Sequence, residues 1–377
     1  MPTISQRGID MPASPIRKLV PLANRAKAKG TVVYHLNIGQ PDLATPEVAL
    51  RAAHHLDREV LEYSPSEGIL SFRKKLVEYY HKFNIDVCTD DIIITTGGSE
   101  AVFFSFMACL DPGDEIIVPE PAYANYMAFA ISCGAVIKTI SSTIDEGFAL
   151  PSVEKFEALI TPRTKAILIC NPNNPTGSLI TPDKLKTILT HCKETNTYVM
   201  IDETYIEFVP DVNELSAIPL TELFDNVIIL RGTSKFFATP GLRLGYAITS
   251  NSQILTDINT NKNPWMINSL AVVAGETMFL DEEYIDKTRS LILSEKTRCR
   301  QLIEESHKFK LYPSYSNFYL LKILDEGVDA HMLFERAIRQ GMMIRDCSTF
   351  PGLEERFIRF CIMKPEDNTR LINCLTQ

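Results

Sequence analysis

The run Lys165-Ala-Ile-Leu-Ile-Cys170, followed at once by Asn171-Pro-Asn-Asn-Pro-Thr-Gly177, decides the fold class. Its apolar residues are consecutive rather than alternating, which is typical of a strand buried on both faces. Tyr198-Val-Met-Ile201 repeats this pattern, and a stretch with helical periodicity separates the two runs. The alternation of buried strands with helices predicts an α/β fold with a mostly parallel, doubly wound sheet.

The same alternation extends from residue 91 to residue 230. The predicted strands are Ile92–Thr95, Glu115–Val118, Val136–Ile140, Ala166–Cys170, Tyr198–Ile201 and Val227–Leu230. The predicted helices between them are Ser99–Cys109, Tyr123–Ser132, Val153–Ile160 and Pro182–Thr195. Nearer the N-terminus, two further helices are predicted at Pro46–Val60, with Thr45 as its N-cap, and at Ile69–Phe83.

Beyond residue 268 the pattern changes to α+β. One or two helices are predicted at Ser269–Lys296, and single helices at Cys299–Lys308 and Ala330–Gln340. Strands are predicted at Asn317–Ile323, Met342–Arg345 and Arg356–Met363. We therefore expect three parts: an N-terminal arm (residues 1–43) that joins the small domain, a large domain (44–268) and a small C-terminal domain (269–377). A chain of 377 residues is long enough for one large and one smaller domain.

Composition excludes several function classes. The net charge of -9 gives no support for binding to nucleic acid or to an anionic membrane. No apolar run approaches the roughly 20 residues that span a bilayer, and the N-terminus lacks the apolar core of a signal peptide. Nine cysteines without a Cys-x-x-Cys pair favour a reducing cytoplasm over disulfides. The adjacent His54 and His55 diverge on a helix, so no metal site is predicted.

Chemically useful groups follow five of the predicted strands. They lie in Thr96-Gly-Gly-Ser-Glu-Ala101, Pro119-Glu-Pro-Ala-Tyr123, Asn171–Gly177, Asp202-Glu-Thr-Tyr205 and the turn that contains Lys235. Ligands of α/β sheets bind beyond the carboxyl ends of the strands, and the Gly-Gly turn opening a helix is a seat for phosphate. The dinucleotide pattern Gly-x-Gly-x-x-Gly is absent, so a dinucleotide is not indicated.

The last of these segments reads Arg231-Gly-Thr-Ser-Lys-Phe-Phe-Ala-Thr-Pro-Gly-Leu-Arg-Leu-Gly-Tyr246. Lys235 leaves a buried strand, where an amine is desolvated and becomes nucleophilic. Arg243 offers a planar fork to a phosphate, and Thr233 and Ser234 add hydroxyl donors. The segment predicts a cofactor that carries a phosphate and is bound as a Schiff base. The alternative interpretation is a surface lysine with an arginine in a structural ion pair.

The order of TTGGSEA, EPAY, NPNNPTG, DETY and SKFFATPGLRLGY resembles the class I/II aminotransferases, which use pyridoxal 5'-phosphate (PLP) and have fold type I. The resemblance covers nearly the whole chain and is specific only in combination. It implies that Lys235 binds the cofactor covalently and moves the α-proton of the substrate. Asp202 would pair with the pyridine nitrogen, Asn174 and Tyr205 would bind the phenolate oxygen, and Tyr123 would stack on the ring.

The resemblance also implies residues for the phosphate and the substrate. Phosphate ligands would be Arg243, Ser234, Thr233, the N–H groups of Ser99 and Glu100, and Tyr63 of a neighbouring subunit in a homodimer. Substrate ligands would be Arg359, Gly39 through its backbone, Asn174 and Arg345. Alternative interpretations are core packing for Tyr123, a helix cap for Asp202 and a surface ion pair for Arg345, and Glu203 is interpreted as structural.

Two subfamily signals compete for the substrate. Ser14-Pro-Ile-Arg-Lys-Leu19 and Tyr63-Ser-Pro-Ser-Glu-Gly68 look like aspartate- and aromatic-type aminotransferases. Ile344-Arg-Asp-Cys-Ser-Thr-Phe-Pro-Gly-Leu353, leading to Arg359, looks like the histidinol-phosphate aminotransferase and threonine-phosphate decarboxylase branch. In that branch paired arginines can bind a substrate phosphate.

One departure bears on this choice. Ser99 stands where one group of aspartate aminotransferases carries a lysine, so a second cation would have to come from Arg17, Lys262 or Arg345. The expected function is ping-pong amino transfer between aspartate or glutamate and a 2-oxo acid. The alternative is a histidinol-phosphate aminotransferase or a threonine-phosphate decarboxylase-like enzyme.

Overall fold

The computed structural model describes residues 2–14, 16–39, 42–57 and 59–377. The strands are β1 (Ile92–Thr95), β2 (Glu115–Glu120), β3 (Val136–Ser141), β4 (Thr164–Cys170), β5 (Tyr198–Asp202), β6 (Val227–Gly232), β7 (Gly245–Ile248), β8 (Phe309–Leu311), β9 (Phe318–Ile323), β10 (Arg345–Asp346) and β11 (Phe357–Cys361).

The α-helices lie between and around these strands. They are α1 (Gln6–Asp10), α2 (Val20–Ala28), α3 (Glu47–His54), α4 (Leu70–His81), α5 (Gly98–Cys109), α6 (Asn125–Cys133), α7 (Val153–Glu157), α8 (Pro182–Glu194), α9 (Val212–Leu215), α10 (Ser252–Asn261), α11 (Ser269–Met278), α12 (Glu282–Glu305), α13 (Ala330–Arg339) and α14 (Pro365–Thr376). None of the helices in the described ranges is both long enough and apolar enough to cross a membrane.

The larger sheet has the strand order β1-β7-β6-β5-β4-β2-β3. The pairs from β6 through β3 are parallel, whereas β7 runs antiparallel to both of its neighbours. Successive residues of one strand enter opposite cores: Ile167 and Ile169 pack with α4, α8 and α11, and Ala166 and Leu168 with α5, α6 and α10. Helices cover both faces, and the predicted mostly parallel, doubly wound sheet is confirmed.

The smaller sheet has the order β10-β11-β9-β8 and is antiparallel throughout. It packs against α12 and α13, on which α14 packs in turn, so the predicted smaller α+β unit is confirmed. The N-terminal segment contributes to it, because Tyr34 pairs with Met342 and the Leu36 carbonyl accepts a hydrogen bond from the Cys361 amide at 3.0 Å. The two sheets place the loops after β2, β4, β5 and β6 beside Arg345 and Arg359 of the smaller sheet.

Several sequence-based boundaries differ from the structure. The helix predicted at Pro46–Val60 ends at His54, and Arg58 lies outside the described residues. Thr45 does not cap it, because its hydroxyl donates to the Ala238 carbonyl at 2.7 Å. The helices predicted around residue 297 form one continuous helix, α12, because no Gly or Pro interrupts Glu282–Glu305. Strands β7 and β8 and helices α9, α10 and α14 were not predicted.

Candidate active site

A cavity of about 260 Å³ lies at the carboxyl ends of the parallel strands, against the smaller sheet. We call it the first cavity. Most of the predicted site residues line it: Ser99, Tyr123, Asn174, Asp202, Tyr205, Ser234, Lys235, Arg243, Arg345 and Arg359. The fold therefore brings together side chains that are up to 260 positions apart in the sequence.

Lys235 occupies the buried side of this cavity. Its Nζ donates a hydrogen bond to the Ile38 carbonyl at 2.7 Å. The pKa of this amine is lowered to about 8. Burial is the main cause, and the positive charge of the neighbouring Arg359 contributes. An amine with this pKa is partly neutral at physiological pH, which is the form that attacks an aldehyde. The interpretation of Lys235 as an ordinary surface lysine is therefore wrong.

The pKa of Lys235 gives a pH prediction for the apoprotein. Only the neutral amine is nucleophilic, and its fraction rises from about 10% at pH 7 to about 90% at pH 9 for a pKa of about 8. We expect the rate of PLP uptake, followed by stopped-flow visible absorption, to rise about tenfold over this range. The Lys235→Ala variant serves as the blank for non-specific reaction. A rate that falls or stays constant with rising pH would contradict the placement of Lys235.

Asp202 is held by three hydrogen bonds on its two oxygens. Its Oδ1 accepts from the Thr204 amide at 3.0 Å and from the Thr204 hydroxyl at 2.6 Å, while its Oδ2 accepts from the Tyr126 hydroxyl at 2.6 Å. These donors fix the carboxylate at the end of β5 with its charge toward the cavity. Sequence reasoning missed both partners. Asp-x-Thr, in which an aspartate accepts from the residue two positions later, was the available signal for Thr204.

Three further side chains form the walls around Asp202 and Lys235. The Tyr123 ring lies edge-on to that of Tyr126, with centroids 5.3 Å apart, and its hydroxyl accepts from the Asn125 amide at 2.7 Å. Tyr205 is buried, and burial raises the pKa of its hydroxyl, so that it stays a hydrogen-bond donor. Asn174 accepts from Arg359 through its Oδ1, which leaves its Nδ2 directed as a donor.

The turn before α5 forms an anion cradle with Arg243. Gly97 has a φ of +116°, and a Cβ at this position would lie 2.7 Å from the Arg243 guanidinium, so only glycine permits this approach. Arg243 donates to the Pro240 and Thr96 carbonyls at 2.8 and 3.1 Å. Ser99 and Ser234 line the same end of the cavity. Free N–H groups at a helix N-terminus and a guanidinium together suit a phosphate.

Four predicted ligands do not line the first cavity. The buried Thr233 hydroxyl bonds to Leu244 O and Thr239 within its own turn. The Glu100 amide donates to Gly97 O at 3.0 Å, and its carboxylate accepts from the Thr96 amide at 2.6 Å. Tyr63 is 79% exposed and lies against Trp265, with ring centroids 4.8 Å apart. Gly39 lies behind Tyr205, where a Cβ would come within 3.0 Å of the Tyr205 hydroxyl.

The two arginines of the smaller sheet are directly opposite each other on β10 and β11. Arg359 donates to Asn174 Oδ1 and, at 2.6 Å, to the Asn37 carbonyl, and Arg345 donates to the Thr349 hydroxyl at 2.9 Å. Both are 4% exposed, and neither forms an ion pair within the ranges that the structure describes. Arg345 is therefore not in a surface ion pair. Like charges directly opposite in a sheet are destabilising, so this arrangement calls for an anion between them.

A buried ion-pair network supports the strand ends from behind. Arg231 binds Glu203 and Glu207 at 2.8 Å each, and all three side chains are buried. Glu203 lies outside the first cavity, which agrees with its structural interpretation. Because Arg231 precedes Lys235 by four positions and Glu203 follows Asp202, the network ties the two segments that carry them together.

The residues present fit PLP. A buried amine with a lowered pKa, a triply hydrogen-bonded carboxylate, a tyrosine ring and an anion cradle line one cavity. The amine suits the aldehyde of that cofactor, and the carboxylate suits its pyridine nitrogen. The tyrosine ring suits the face of the pyridine ring, and the anion cradle suits the phosphate. The φ of +116° at Gly97 is a backbone conformation that residues with a side chain rarely adopt, so glycine is needed to form this turn.

Comparisons with known proteins agree. Residues 31–375 match the family model for aminotransferase class I and II. Histidinol-phosphate aminotransferase 2 of Archaeoglobus fulgidus is 31% identical over 338 residues, which are 90% of each chain. Threonine-phosphate decarboxylase of Salmonella typhimurium is 32% identical over 283 residues, 75% of this chain and 76% of the relative.

A solved structure extends this agreement to the fold. The structure of aspartate aminotransferase from Thermotoga maritima matches with a TM-score of 0.88 and 26% identity, covering 99% of each chain. Members of the matched family depend on PLP. The chain therefore belongs to the aminotransferase class I and II family, and it is a PLP-dependent enzyme of fold type I.

Proposed function

We propose that the enzyme transfers an amino group between aspartate or glutamate and a 2-oxo acid by a ping-pong mechanism. The observation that carries this proposal is the pair Arg345 and Arg359, two buried guanidiniums without a carboxylate partner in the described ranges. The α-carboxylate of an amino acid is one anionic group, and it can pair with one of these two arginines. The second arginine calls for a second anionic group on the substrate.

The proposed binding roles follow from the contacts of each side chain. Arg359, oriented by Asn174 and the Asn37 carbonyl, takes the α-carboxylate, and Arg345 takes the side-chain carboxylate. Of the candidate second cations, Arg17 is exposed and the Lys262 amine points to the Ile94 carbonyl at 3.4 Å. Arg345 is therefore preferred to both of them. Gly39 stays a proposed backbone contact for the substrate.

The proposed cofactor ligands are Asp202 for the pyridine nitrogen, Tyr205 and Asn174 for the phenolate oxygen, Tyr123 for the ring, Lys235 for the covalent link, and Ser99, Ser234 and Arg243 for the phosphate. Bound PLP withdraws electrons from the Cα of the amino acid and so acidifies its proton. Lys235 would be the base that takes this proton, because among the described residues its amine is the one that lines the cavity and has a lowered pKa. Thr233 and Glu100 shape the phosphate turn through their hydrogen bonds within it.

The exposed Tyr63 supports a homodimer. Its ring and that of Trp265 form an exposed aromatic pair, 79% and 57% accessible, outside the cavity of their own subunit. We propose that Tyr63 completes the phosphate site of the second subunit. We also propose the division into arm (1–43), large domain (44–268) and small domain (269–377). A reducing, cytoplasmic location is proposed as well, which agrees with nine cysteines that form no disulfide with one another.

Substitution of Arg345 by glutamine tests the substrate. Truncating one partner of a buried charge contact costs about 2–5 kcal/mol, so we expect KM for glutamate and aspartate to rise roughly 30-fold or more. KM for alanine, which has no second carboxylate, is expected to change less than about threefold. The melting temperature is expected to hold or rise, because the like-charge contact with Arg359 is removed.

The matched control is Arg339→Gln, which removes an exposed arginine at the end of α13. Steady-state kinetics with the three amino acids and differential scanning fluorimetry on both variants give the result. An unchanged KM for glutamate and aspartate in Arg345→Gln would assign the second anion site to another residue.

A second candidate function rests on the same arginine pair. Two guanidiniums also suit a phosphate, and the relatives include a histidinol-phosphate aminotransferase and a threonine-phosphate decarboxylase. Titration of the holoenzyme with a panel of amines, followed by visible absorption, separates the candidates. Bleaching by glutamate or aspartate supports the proposed function, whereas a response only to a phosphorylated amine or amino acid supports the alternative.

A further inference from the structure

A second cavity, of about 250 Å³, adjoins the first one. The two cavities share a wall that consists of Ser14, Tyr123, Ala124, Asn125, Tyr126 and Phe350. Beyond this wall the second cavity lies against strands β2 and β3, under Pro12–Ser14 of the N-terminal arm and under the Thr349–Pro351 loop. A cavity of roughly 150 Å³ is sufficient for benzene, so an aromatic side chain has room here.

The wall of the second cavity is mostly apolar and carries a single carboxyl group among the described residues. Val118, Ala122, Met127 and Ile137 provide apolar surface, and Glu120 stands at the end of β2. Burial raises the pKa of the Glu120 carboxyl, and a hydrogen bond from the Thr139 hydroxyl partly offsets this effect. A half-buried carboxyl with one hydroxyl partner retains free acceptor positions for a hydrogen-bond donor.

The two cavities diverge at the Thr349–Pro351 loop. Thr349 accepts the hydrogen bond from Arg345, and the Phe350 ring lies 5.0 Å from the Arg345 guanidinium. Thr349 also lines the second cavity, and Phe350 lines both. The Thr349–Pro351 loop therefore has the Arg345 guanidinium on one side and, on the other, an apolar chamber that contains a carboxyl. These two environments suit different side chains. A ping-pong enzyme must bind two side chains in turn, that of the donor amino acid and that of the acceptor 2-oxo acid, which leaves as the second amino acid.

We infer that the second cavity is a side-chain subsite for the other amino acid of the pair, one with an aromatic body and a hydrogen-bond donor at its tip that faces Glu120. This inference rests on the proposed function, in which glutamate or aspartate uses Arg345. The α-carboxylate of both substrates binds Arg359. The side chains then separate, an acidic one toward Arg345 and an aromatic one into the second cavity.

The test uses ligands that bind but cannot react. The deamino analogues of tyrosine and phenylalanine keep the carboxylate and the ring, and differ only in the hydroxyl. Glutarate, the deamino analogue of glutamate, reports on Arg345. Titration calorimetry on the PLP-loaded enzyme is expected to show roughly tenfold tighter binding of the tyrosine analogue, as a hydrogen bond to a charged group provides. Equal affinities of the two ring analogues overturn the inference.

Variants locate the effect. In Glu120→Leu the ratio of the two affinities is expected to fall to about one, and in Glu120→Gln part of it is retained, because the amide oxygen still accepts. The control Glu222→Leu, at an exposed position, keeps the wild-type ratio. An unchanged ratio in Glu120→Leu overturns the inference, and because the ratio compares ligands within one protein, a general loss of stability does not mimic it.

Filling the chamber gives an independent test. Ala128 lines the second cavity but not the first. In Ala128→Phe both ring analogues are expected to bind at least about tenfold more weakly than in the wild type, while the affinity for glutarate stays unchanged. If each of the three ligands binds the variant as tightly as it binds the wild type, the inference is overturned. If the enzyme binds glutarate but neither ring analogue, the proposed subsite is contradicted and the proposed function is not. If it binds none of the three ligands, the proposed substrate class is contradicted as well.

Discussion

Replacement of Lys235 by alanine is expected to lower the rate of amino transfer by roughly 10⁴-fold, the upper end of what a positioned general acid–base contributes. Lys235 supplies the one side-chain amine among the described residues that line the first cavity. Its pKa of about 8 keeps a neutral fraction available. The variant is also expected to lose the visible absorption of the protein-linked cofactor, because the covalent link forms at this amine. Single-turnover kinetics with glutamate and a visible spectrum measure the two effects.

A second buried lysine supplies the matched control. The Lys296 amine has a pKa lowered to about 7 by burial and donates to the Ser314 carbonyl at 2.5 Å, outside the first cavity. Lys296→Met is expected to keep the absorption band of the linked cofactor. Restoration of part of the Lys235→Ala activity by a small exogenous amine would identify the loss as chemical. Full turnover by Lys235→Ala would remove the residue from its proposed role.

The fold of the larger sheet could be predicted because its strands are buried on both faces. Runs such as Ala166–Cys170 and Val227–Leu230 are continuous in apolar residues, and their order along the chain follows the alternation with helices. Strand β7 was missed since Gly245–Ile248 is short and merges with the loop that carries Arg243. Its antiparallel pairing with β6 and β1 depends on contacts that no local pattern records.

The candidate site was predictable where a residue type alone dictates its chemistry. Lys235, Asp202 and Arg243 follow strand ends, and α/β topology brings such ends together. Of the partners that act through Asp202, Thr204 has a local sequence signal, whereas Tyr126 has none. From the sequence, Tyr126 resembles a core residue, but in the structure its hydroxyl lies 2.6 Å from Asp202. Thr233 resembles a phosphate ligand, but its hydroxyl donates to the Leu244 carbonyl.

The opposition of Arg345 and Arg359 illustrates the same limit. Each arginine is visible in the sequence, but their register across β10 and β11 is a property of the folded sheet. Two arginines that are fourteen positions apart in the sequence do not show whether their guanidiniums lie on the same face of a sheet or on opposite faces. The substrate class therefore depends on tertiary structure more than the cofactor does.

Substitution of Asp202 by asparagine is expected to lower kcat roughly 10³-fold, comparable to the loss of a preorganised electrostatic contact in other enzymes. The amide keeps the shape of the carboxylate, and its oxygen still accepts from Thr204. The substitution removes the negative charge that would stabilise a protonated pyridine nitrogen. The cofactor would then withdraw electrons from the substrate less strongly. Affinity for glutarate is expected to stay within about twofold, because both arginines are intact.

Tyr126→Phe is the companion variant, because it removes one donor to Asp202 and leaves the charge in place. A single hydrogen bond contributes about 0.5–1.5 kcal/mol, so we expect a loss of kcat of about tenfold or less. The difference between the two variants separates the charge of Asp202 from its orientation. If Tyr126→Phe lost as much activity as Asp202→Asn, orientation rather than charge would govern the site. A kcat for Asp202→Asn within tenfold of the wild type would exclude this carboxylate as the partner of the pyridine nitrogen.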